Sequence, residues 1–248
     1  MLMTVIGKDP SASNYGELAG IRVLINGLSP TCGVDIARAF ADHRGRLVLH
    51  SHKPSSECDV LAGVLAQSAS EVEHFTGAYV DAESAIKFAQ SASRTFGGLD
   101  AVINLIPITS RELRTANGYE EIEDMVARKL SMPLQISRVI ANRMRVLMTE
   151  GLVLNVMTVE QPRNGAEALL AGIARSALAA MTRGEATLQA AHGIRVNAIG
   201  PSGASPDDGA CLASEPDIAA LALYLASKKG KALTGHIFDA QGVAARRC

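Results

Sequence analysis

The sequence has 248 residues, of which 48% are hydrophobic, and a formal net charge of −1. This size fits one large globular domain, and the near-zero charge gives no electrostatic reason to expect nucleic acid or an anionic membrane as a partner. No apolar run approaches the roughly 20 residues that cross a bilayer, and residues 1–10 lack the apolar stretch of a signal peptide.

Apolar runs of strand length alternate with segments of helical periodicity, which is typical of βαβ units and a parallel sheet. Residues 119–149 form a long helical stretch, in which Pro133 predicts a kink or a division into two segments. Residues 166–191 are rich in alanine and contain two glycines, so one face of this helix could let another helix approach closely. The predicted strands are 21–26, 47–50, 75–80, 100–104, 152–157, 194–199 and 237–240. The other predicted helices are one that begins after Gly33, then 58–67, 82–96 and 216–227.

Histidine and cysteine positions argue against a metal site. His50 and His52 would face the same side of a strand, but no cysteine or further histidine completes a ligand set. We interpret both as solvated residues at a strand end, and we predict no metal. The four cysteines are scattered without a CxxC pair, which favours reduced thiols and a cytoplasmic location over a disulfide framework.

Several segments, taken in order and spacing, match one known family. Residues 192–199 read His-Gly-Ile-Arg-Val-Asn-Ala-Ile, residues 96–100 read Phe-Gly-Gly-Leu-Asp, and 223–227 read Leu-Tyr-Leu-Ala-Ser. Together these segments resemble the short-chain dehydrogenase/reductase family over nearly the whole chain. The resemblance implies an α/β fold: a Rossmann-like, doubly wound, seven-stranded parallel sheet flanked by helices. It also implies a single domain over 1–248, with 1–19 as an N-terminal extension.

The family's glycine-rich turn, TGxxxGxG, aligns with residues 26–33. In the family this turn lets the backbone approach a dinucleotide pyrophosphate at a helix N-terminus. Gly27 and Gly33 match, whereas Thr31 replaces the middle glycine and Pro30 removes a backbone donor. Two interpretations stay open: a weakened cofactor turn, or a structural turn that needs only the conformational freedom of glycine.

The end of the second strand sets the preference between NAD and NADP in this family. Residues 50–53 read His-Ser-His-Lys, with Ser51 at the aligned position and no acidic residue nearby. An acid would favour NAD through the ribose hydroxyl, so NADP(H) is expected over NAD(H) if any dinucleotide binds.

After the fourth strand the family has Asn-Asn-Ala-Gly, whose small residues form the floor of the adenosine site. Here Asn104 is followed by Leu105 and Ile106, which are bulky and could fill the cofactor groove. We therefore predict no cofactor or a weakly bound one. The candidate cofactor contacts are Gly27, Gly33, Ser51 and Asn104.

The family's catalytic Tyr, Lys, Ser and Asn align with Ala171, Arg175, Thr158 and Lys129. Ala171 has no titratable group, and the loss of a general acid typically costs about 10²–10⁴-fold in rate. Arg175 keeps a positive charge, but its proton is effectively unavailable. Thr158 keeps a hydroxyl. The resemblance therefore implies a degenerate catalytic set.

Two further features fit this interpretation. Tyr224 and Lys228 have the family's YxxxK spacing, but they lie in the late helix, where we interpret the tyrosine as a packing residue. The segment 202–214 is shorter than the family's substrate lid, and Pro206 aligns with the threonine that holds the nicotinamide amide.

The favoured hypothesis is a non-catalytic subunit, structural or regulatory, of a homo- or hetero-oligomer. The resemblance implies a dimer or tetramer formed through the helices at 119–149 and 166–191, for example with an active paralogue. Two alternatives stay open. One is an NADP(H)-dependent oxidoreductase with an unusual active site, in which Thr158 and Arg175 hold a carbonyl. The other is a sensor that binds a ligand without turning it over.

Overall fold

Apolar strands and intervening helices build one sheet that is covered on both faces. The computed structural model describes residues 15–109, 112, 119–159, 165–201 and 214–240. Seven strands in these ranges form a parallel sheet in the order β3-β2-β1-β4-β5-β6-β7. They are β1 (Arg22–Asn26), β2 (Arg46–Ser51), β3 (Glu71–Thr76), β4 (Ala101–Ile108), β5 (Gly151–Val159), β6 (Ile194–Pro201) and β7 (Ile237–Ala240). The predicted Rossmann-like fold, doubly wound and in one domain, is confirmed.

Helices lie on both faces of the sheet. They are α1 (Val34–Asp42), α2 (Ser56–Leu65), α3 (Ala82–Ala92), α4 (Tyr119–Val146), α5 (Gly165–Gln189) and α6 (Glu215–Ala226). Short 3-10 helices cover Gly16–Leu18, Thr95–Gly97, Ala190–His192 and Lys228–Gly230. No helix in the described part of the chain is both long enough and apolar enough to cross a membrane.

The core has two main layers because successive strand residues point to opposite faces. Val23 and Ile25 pack beneath α1, α2 and α6, whereas Leu24 between them packs beneath α3 and α4. All three side chains are fully buried. Burial on both faces explains why the central strands read as continuous apolar runs. A third cluster joins α4 and α5 to the ends of β4 and β5.

Two predicted elements were wrong. The third strand is Glu71–Thr76, not 75–80. The prediction missed it because β3 is an edge strand with exposed charged side chains, which do not form an apolar run. Glu71 pairs in register with Arg46 of β2 and contacts it at 3.7 Å. Of the two alternatives for 119–149, the division into two segments was wrong, since α4 runs without interruption through Pro133, and the kink stays a prediction.

The strand order reverses between β1 and β4. The chain first winds outward from β1 to β2 and β3, then returns to the other side of β1 with β4. The carboxyl ends of the strands at such a reversal border the crevice where open α/β sheets bind ligands. This edge is therefore the place to look for a site.

Candidate functional site

A buried amide network joins the strands at this edge. Asn104 is fully buried, and its Oδ1 accepts a hydrogen bond from Nδ2 of Asn26 at 3.0 Å. Its Nδ2 donates to Oδ1 of Asn155 and to Oγ of Ser137, both at 2.8 Å. The side chain of Asn104, a predicted cofactor contact, thus links β1, β5 and α4 to its own strand β4.

The turn after β1 uses both of its predicted glycines. Gly27 and Gly33 have φ values of 90° and 88°, in the left-handed region that favours glycine. A Cβ on Gly27 would lie 2.8 Å from the carbonyl oxygen of Leu105, and one on Gly33 would lie 2.2 Å from Cδ1 of Leu105. Both glycines therefore allow a close approach of Leu105, which fits the structural interpretation of the turn.

Leu105 belongs to an unpredicted extension of β4, residues 105–108. Pairing with β1 ends at Asn104, but pairing with β5 continues to Ile108. Pro107 has no backbone N–H to donate. It is tolerated because this part of β4 has a neighbouring strand on the β5 side only, so no ladder hydrogen bond is lost on the β1 side. Leu105 and Ile106 are both buried.

The extension borders two cavities of about 210 Å³ each. Both volumes lie below the roughly 300–1,000 Å³ of ordinary small-molecule sites. We name them the turn cavity and the α4 cavity, and Leu105 and Pro107 line both. Residues that line the turn cavity include Ser29, Thr31, Cys32, Gly33, Thr158 and Glu215. Those that line the α4 cavity include Asn26, His52, Tyr79, Ile106, Arg128 and Lys129.

An acidic side chain lies in the turn cavity. Oε1 of Glu215, in the first turn of α6, accepts a hydrogen bond from the backbone N–H of Asp35 at 3.0 Å. Burial raises the pKa of Glu215, although hydrogen bonds from the backbone of α1 oppose the shift. Burial, with a contribution from Glu215, also raises the pKa of the Cys32 thiol to about 12, so the thiol is neutral.

The α4 cavity contains the position aligned with the family's asparagine. Nζ of Lys129 donates to the carbonyl oxygen of Pro107 at 2.8 Å and lies 2.7 Å from Oε1 of Glu112. Its ammonium therefore holds the extension of β4 in place. Thr158 pairs in register with Pro107 and lines the other cavity, so Lys129 and Thr158 flank the extension from opposite sides.

The other two positions aligned with the family's catalytic residues, Ala171 and Arg175, have different surroundings from Lys129 and Thr158. Ala171 is buried, in the apolar cluster that contains Ile106 and Met157. The guanidinium of Arg175 donates to the carbonyl oxygen of Pro201 at 2.9 Å and forms an ion pair with Asp239. Arg175 is thereby engaged at the ends of β6 and β7.

The end of β2 is packed with aromatic rings. The His50 ring is stacked on Tyr79, with 4.7 Å between centroids, and lies 4.5 Å from the Phe88 ring. His50 is buried, so its interpretation as a solvated residue was wrong, while His52 is exposed. The error arose because Tyr79 comes from the loop after β3, which the sequence pattern had suggested was a strand.

Ser51, the third predicted cofactor position, is also buried. Its hydroxyl lies 3.1 Å from Nε2 of His74 on β3. The Tyr79 hydroxyl donates to Oδ1 of Asn26 at 2.6 Å and lies 2.8 Å from Nδ1 of His50. These contacts join the end of β2 to the amide network.

Two residues at this edge escaped the sequence analysis, Tyr79 and Glu215. Nothing in the local sequence marks Glu215, since an acidic residue in the first turn of a helix is ordinary.

Tyr224 is half-buried and packs against the core beneath α1 and α6, which agrees with its interpretation as a packing residue. Pro206 and residues 202–213 lie outside the described residues. In the described ranges no three histidine, cysteine, aspartate or glutamate side chains converge as a metal site would require.

Comparison with protein families gives one match over most of the chain. The family model described as enoyl-(acyl carrier protein) reductase matches residues 31–210. Among curated proteins, the chain is 27% identical to (+)-cis,trans-nepetalactol synthase NEPS1 of Nepeta racemosa, and the match covers 89% of each chain. It is 28% identical to an uncharacterized oxidoreductase of Mycobacterium tuberculosis, over 88% of this chain and 90% of the relative.

Solved structures show the same fold. A short-chain dehydrogenase/reductase from Serratia marcescens superimposes with a TM-score of 0.71 at 18% identity, covering 91% of this chain and 98% of the other. A putative oxidoreductase from Escherichia coli also gives 0.71, at 18% identity, covering 93% of this chain and all of the other.

Proposed function

Since this chain belongs to the short-chain dehydrogenase/reductase family of oxidoreductases, and its aligned catalytic positions lack the family's acid, we propose that it is a non-catalytic member. In this proposal it acts as a structural or regulatory subunit of an oligomer. The cytoplasm is the proposed compartment, which fits the free thiols of Cys32 and Cys58.

The observation that carries the proposal is the position of Leu105. In the family, a dinucleotide pyrophosphate would approach the turn through the space above Gly27 and Gly33. Here Leu105 packs against both glycines, because a Cβ on Gly27 would meet its carbonyl oxygen and a Cβ on Gly33 would meet its side chain, and we infer that this bulky residue narrows the cofactor groove. On this proposal the residues present do not fit a dinucleotide, and no chemical step is assigned to one.

The catalytic positions support the same conclusion. A proton must reach the carbonyl oxygen during its reduction, and Ala171 cannot supply one. Arg175 is engaged by Pro201 and Asp239, and Lys129 by Pro107 and Glu112. Thr158 retains a hydroxyl in the turn cavity, without an acid or a base among its aligned partners.

The surface of α5 suits an assembly role. Exposed small side chains recur at every fourth position along this helix, so they lie on one face. The exposed Leu169 and Leu188 flank this face near its two ends. We call it the α5 small-residue face, formed by Ala168, Gly172, Ser176, Ala180 and Gly184. Small residues let two helix backbones approach closely, and the flanking leucines offer apolar surface for a partner to bury.

A ligand sensor is the second candidate. The two cavities at the switch between β1 and β4 favour it, because each could hold a few atoms of a small ligand. One relative, moreover, is named as a synthase and not as a dehydrogenase.

The first experiment is a calorimetric titration of the purified protein with NADPH and with NADH. Gluconate 5-dehydrogenase of Gluconobacter oxydans, another relative, serves as the control. We expect no heat of binding with either nucleotide at concentrations up to about 1 mM, where even a weak affinity would be detected. Micromolar binding of NADPH would overturn the proposal and favour the oxidoreductase alternative.

A further inference from the structure

The first helix begins without a side-chain cap of its own. Its N-cap residue is Gly33, which offers no side-chain acceptor to the free N–H groups of the first turn. These groups, together with the helix dipole, make a helix N-terminus a ready site for an anion. In a dinucleotide-binding fold the anion at this position is a phosphate.

A carboxylate from a distant part of the chain already lies there. Glu215 is separated from Asp35 by 180 positions, and its Oε1 accepts the N–H of Asp35 at 3.0 Å. The backbone of Gly33 and Ile36 also lies near this carboxylate and opposes the rise in its pKa that burial causes. Packing of α6 against α1 in the shared core, through residues such as Ile218 and Ile36, holds Glu215 at this place.

We propose that Glu215 is a built-in anion that takes the place of a bound phosphate at the N-terminus of α1. The chain thereby excludes phosphate from its own glycine turn. This inference rests on the proposed function and deepens it, because it explains what replaces the cofactor in electrostatic terms. Leu105 packs against the glycines of the turn, and Glu215 accepts the N–H of Asp35 in the first turn of α1.

The chemistry of the turn cavity follows from this charge. A second anion beside the carboxylate of Glu215 would meet like-charge repulsion inside a partly buried site, where screening by water is weak. The other polar side chains that line the cavity carry hydroxyls, among them Thr31 and Thr158, or the neutral thiol of Cys32, and the remaining lining is apolar. The cavity therefore selects uncharged or cationic hydrogen-bond donors and rejects phosphates.

The test removes the charge and measures the affinity for inorganic pyrophosphate, a probe small enough to avoid Leu105. The variant is Glu215→Gln, which keeps the size of the side chain. The matched control is Asp217→Asn, an exposed carboxylate in the same turn of α6 that bonds Ser214 and not α1. We expect Glu215→Gln to bind pyrophosphate at least about tenfold more tightly than the unmodified protein, and Asp217→Asn to bind as the unmodified protein does.

The location of binding is read from backbone amide resonances. In Glu215→Gln, pyrophosphate should shift the backbone amide resonances of Asp35 and Ile36 more than those of the other residues. Glu215→Ala is a second variant, which also removes the acceptor. If either folded variant gains no affinity, or gains it without shifts at α1, the inference is wrong.

The unmodified protein gives an independent check that needs no variant. Its melting temperature should not rise with millimolar pyrophosphate, and a rise with shifts at α1 would overturn the inference. NADPH binding by the unmodified protein is a different outcome, since it would overturn the proposed function itself. A lack of gain in the variants would leave that function standing and reject only the role of Glu215.

Discussion

His50 couples the stability of the fold to pH through one buried ring. Nε2 lies 2.8 Å from the carbonyl oxygen of Gly77, while Tyr79 and Phe88 cover the ring. Burial lowers the pKa of His50 to about 4, an effect that the contact with Gly77 partly opposes. The folded protein therefore keeps this ring neutral at pH values where an unfolded chain protonates it.

The sign of the pH dependence follows from linkage. The unfolded histidine binds a proton below about pH 6.5, whereas the folded one binds it only near pH 4. Stability from His50 is thus fully present above pH 6.5 and is lost as the pH falls towards 4. His50→Phe keeps an aromatic ring, so we expect a shallower fall in the free energy of unfolding across this window. Urea denaturation at a series of pH values measures it.

The exposed His192 provides the control for this experiment. His192→Phe should leave the pH profile of the free energy of unfolding unchanged. A His50→Phe profile as steep as that of the unmodified protein would show that His50 is not the titrating group.

Single residues at the site were predictable where the family alignment fixed a position. The placement of Thr158 and Lys129 beside the groove agrees with their aligned positions. A bulky residue where the family has a small one led us to expect that Leu105 fills the cofactor groove; the structure places it against Gly27 and Gly33, and its effect on cofactor binding stays a prediction. Glu215 could not be anticipated, since its partner Asp35 is brought close only by the packing of α6 on α1.

At the level of elements, Asn104 is the junction of β1, β4, β5 and α4. Replacing it by alanine would remove the acceptor of the Asn26 Nδ2 group and the donor that serves Asn155 and Ser137. Each buried polar group that loses its hydrogen bond costs about 1–3 kcal/mol. We expect Asn104→Ala to lower the free energy of unfolding by about 2–4 kcal/mol. Denaturant unfolding followed by circular dichroism measures this change.

Asn142, an exposed residue of α4, is the matched control. Asn142→Ala should change the free energy of unfolding by less than about 0.5 kcal/mol, as surface substitutions usually do. Equal effects of the two substitutions would contradict the importance assigned to the amide network.

Strands were predictable where the sequence reads as an apolar run, and even the partly buried edge strand β7 lies at the predicted residues. The inner strands β1, β5 and β6 appear where their apolar runs predict them. The edge strand β3 was misplaced because its exposed glutamates, Glu71 and Glu73, alternate with partly buried residues, so that the segment does not read as an apolar run. The end of β4 was missed because Pro107 argues against a strand, and only the lack of pairing to β1 beyond Asn104 explains why it is tolerated.

For the molecule as a whole, the assembly proposal predicts the effect of one substitution on molecular mass. Ala180 lies in the α5 small-residue face and is exposed. In Ala180→Arg, a long charged side chain would hold a facing helix away and bring a desolvated charge into the interface. We expect sedimentation equilibrium to shift from a dimer or tetramer towards the monomer.

Ala220→Arg introduces the same side chain at an exposed position of α6, outside this face. It should leave the sedimentation profile unchanged. An Ala180→Arg protein that keeps the mass of the unmodified protein would exclude this face of α5 as the interface.

The proposed replacement of a cofactor by Leu105 and Glu215 also changes how the folded state responds to its surroundings. A protein that binds a soluble cofactor is stabilised by mass action, so its folded population follows the supply of that cofactor. In the proposed non-catalytic protein, the equivalent contacts come from within the chain, at a fixed effective concentration. The abundance of such a subunit would stay constant while cellular nucleotide levels rise and fall, and an assembly built on it would inherit that constancy.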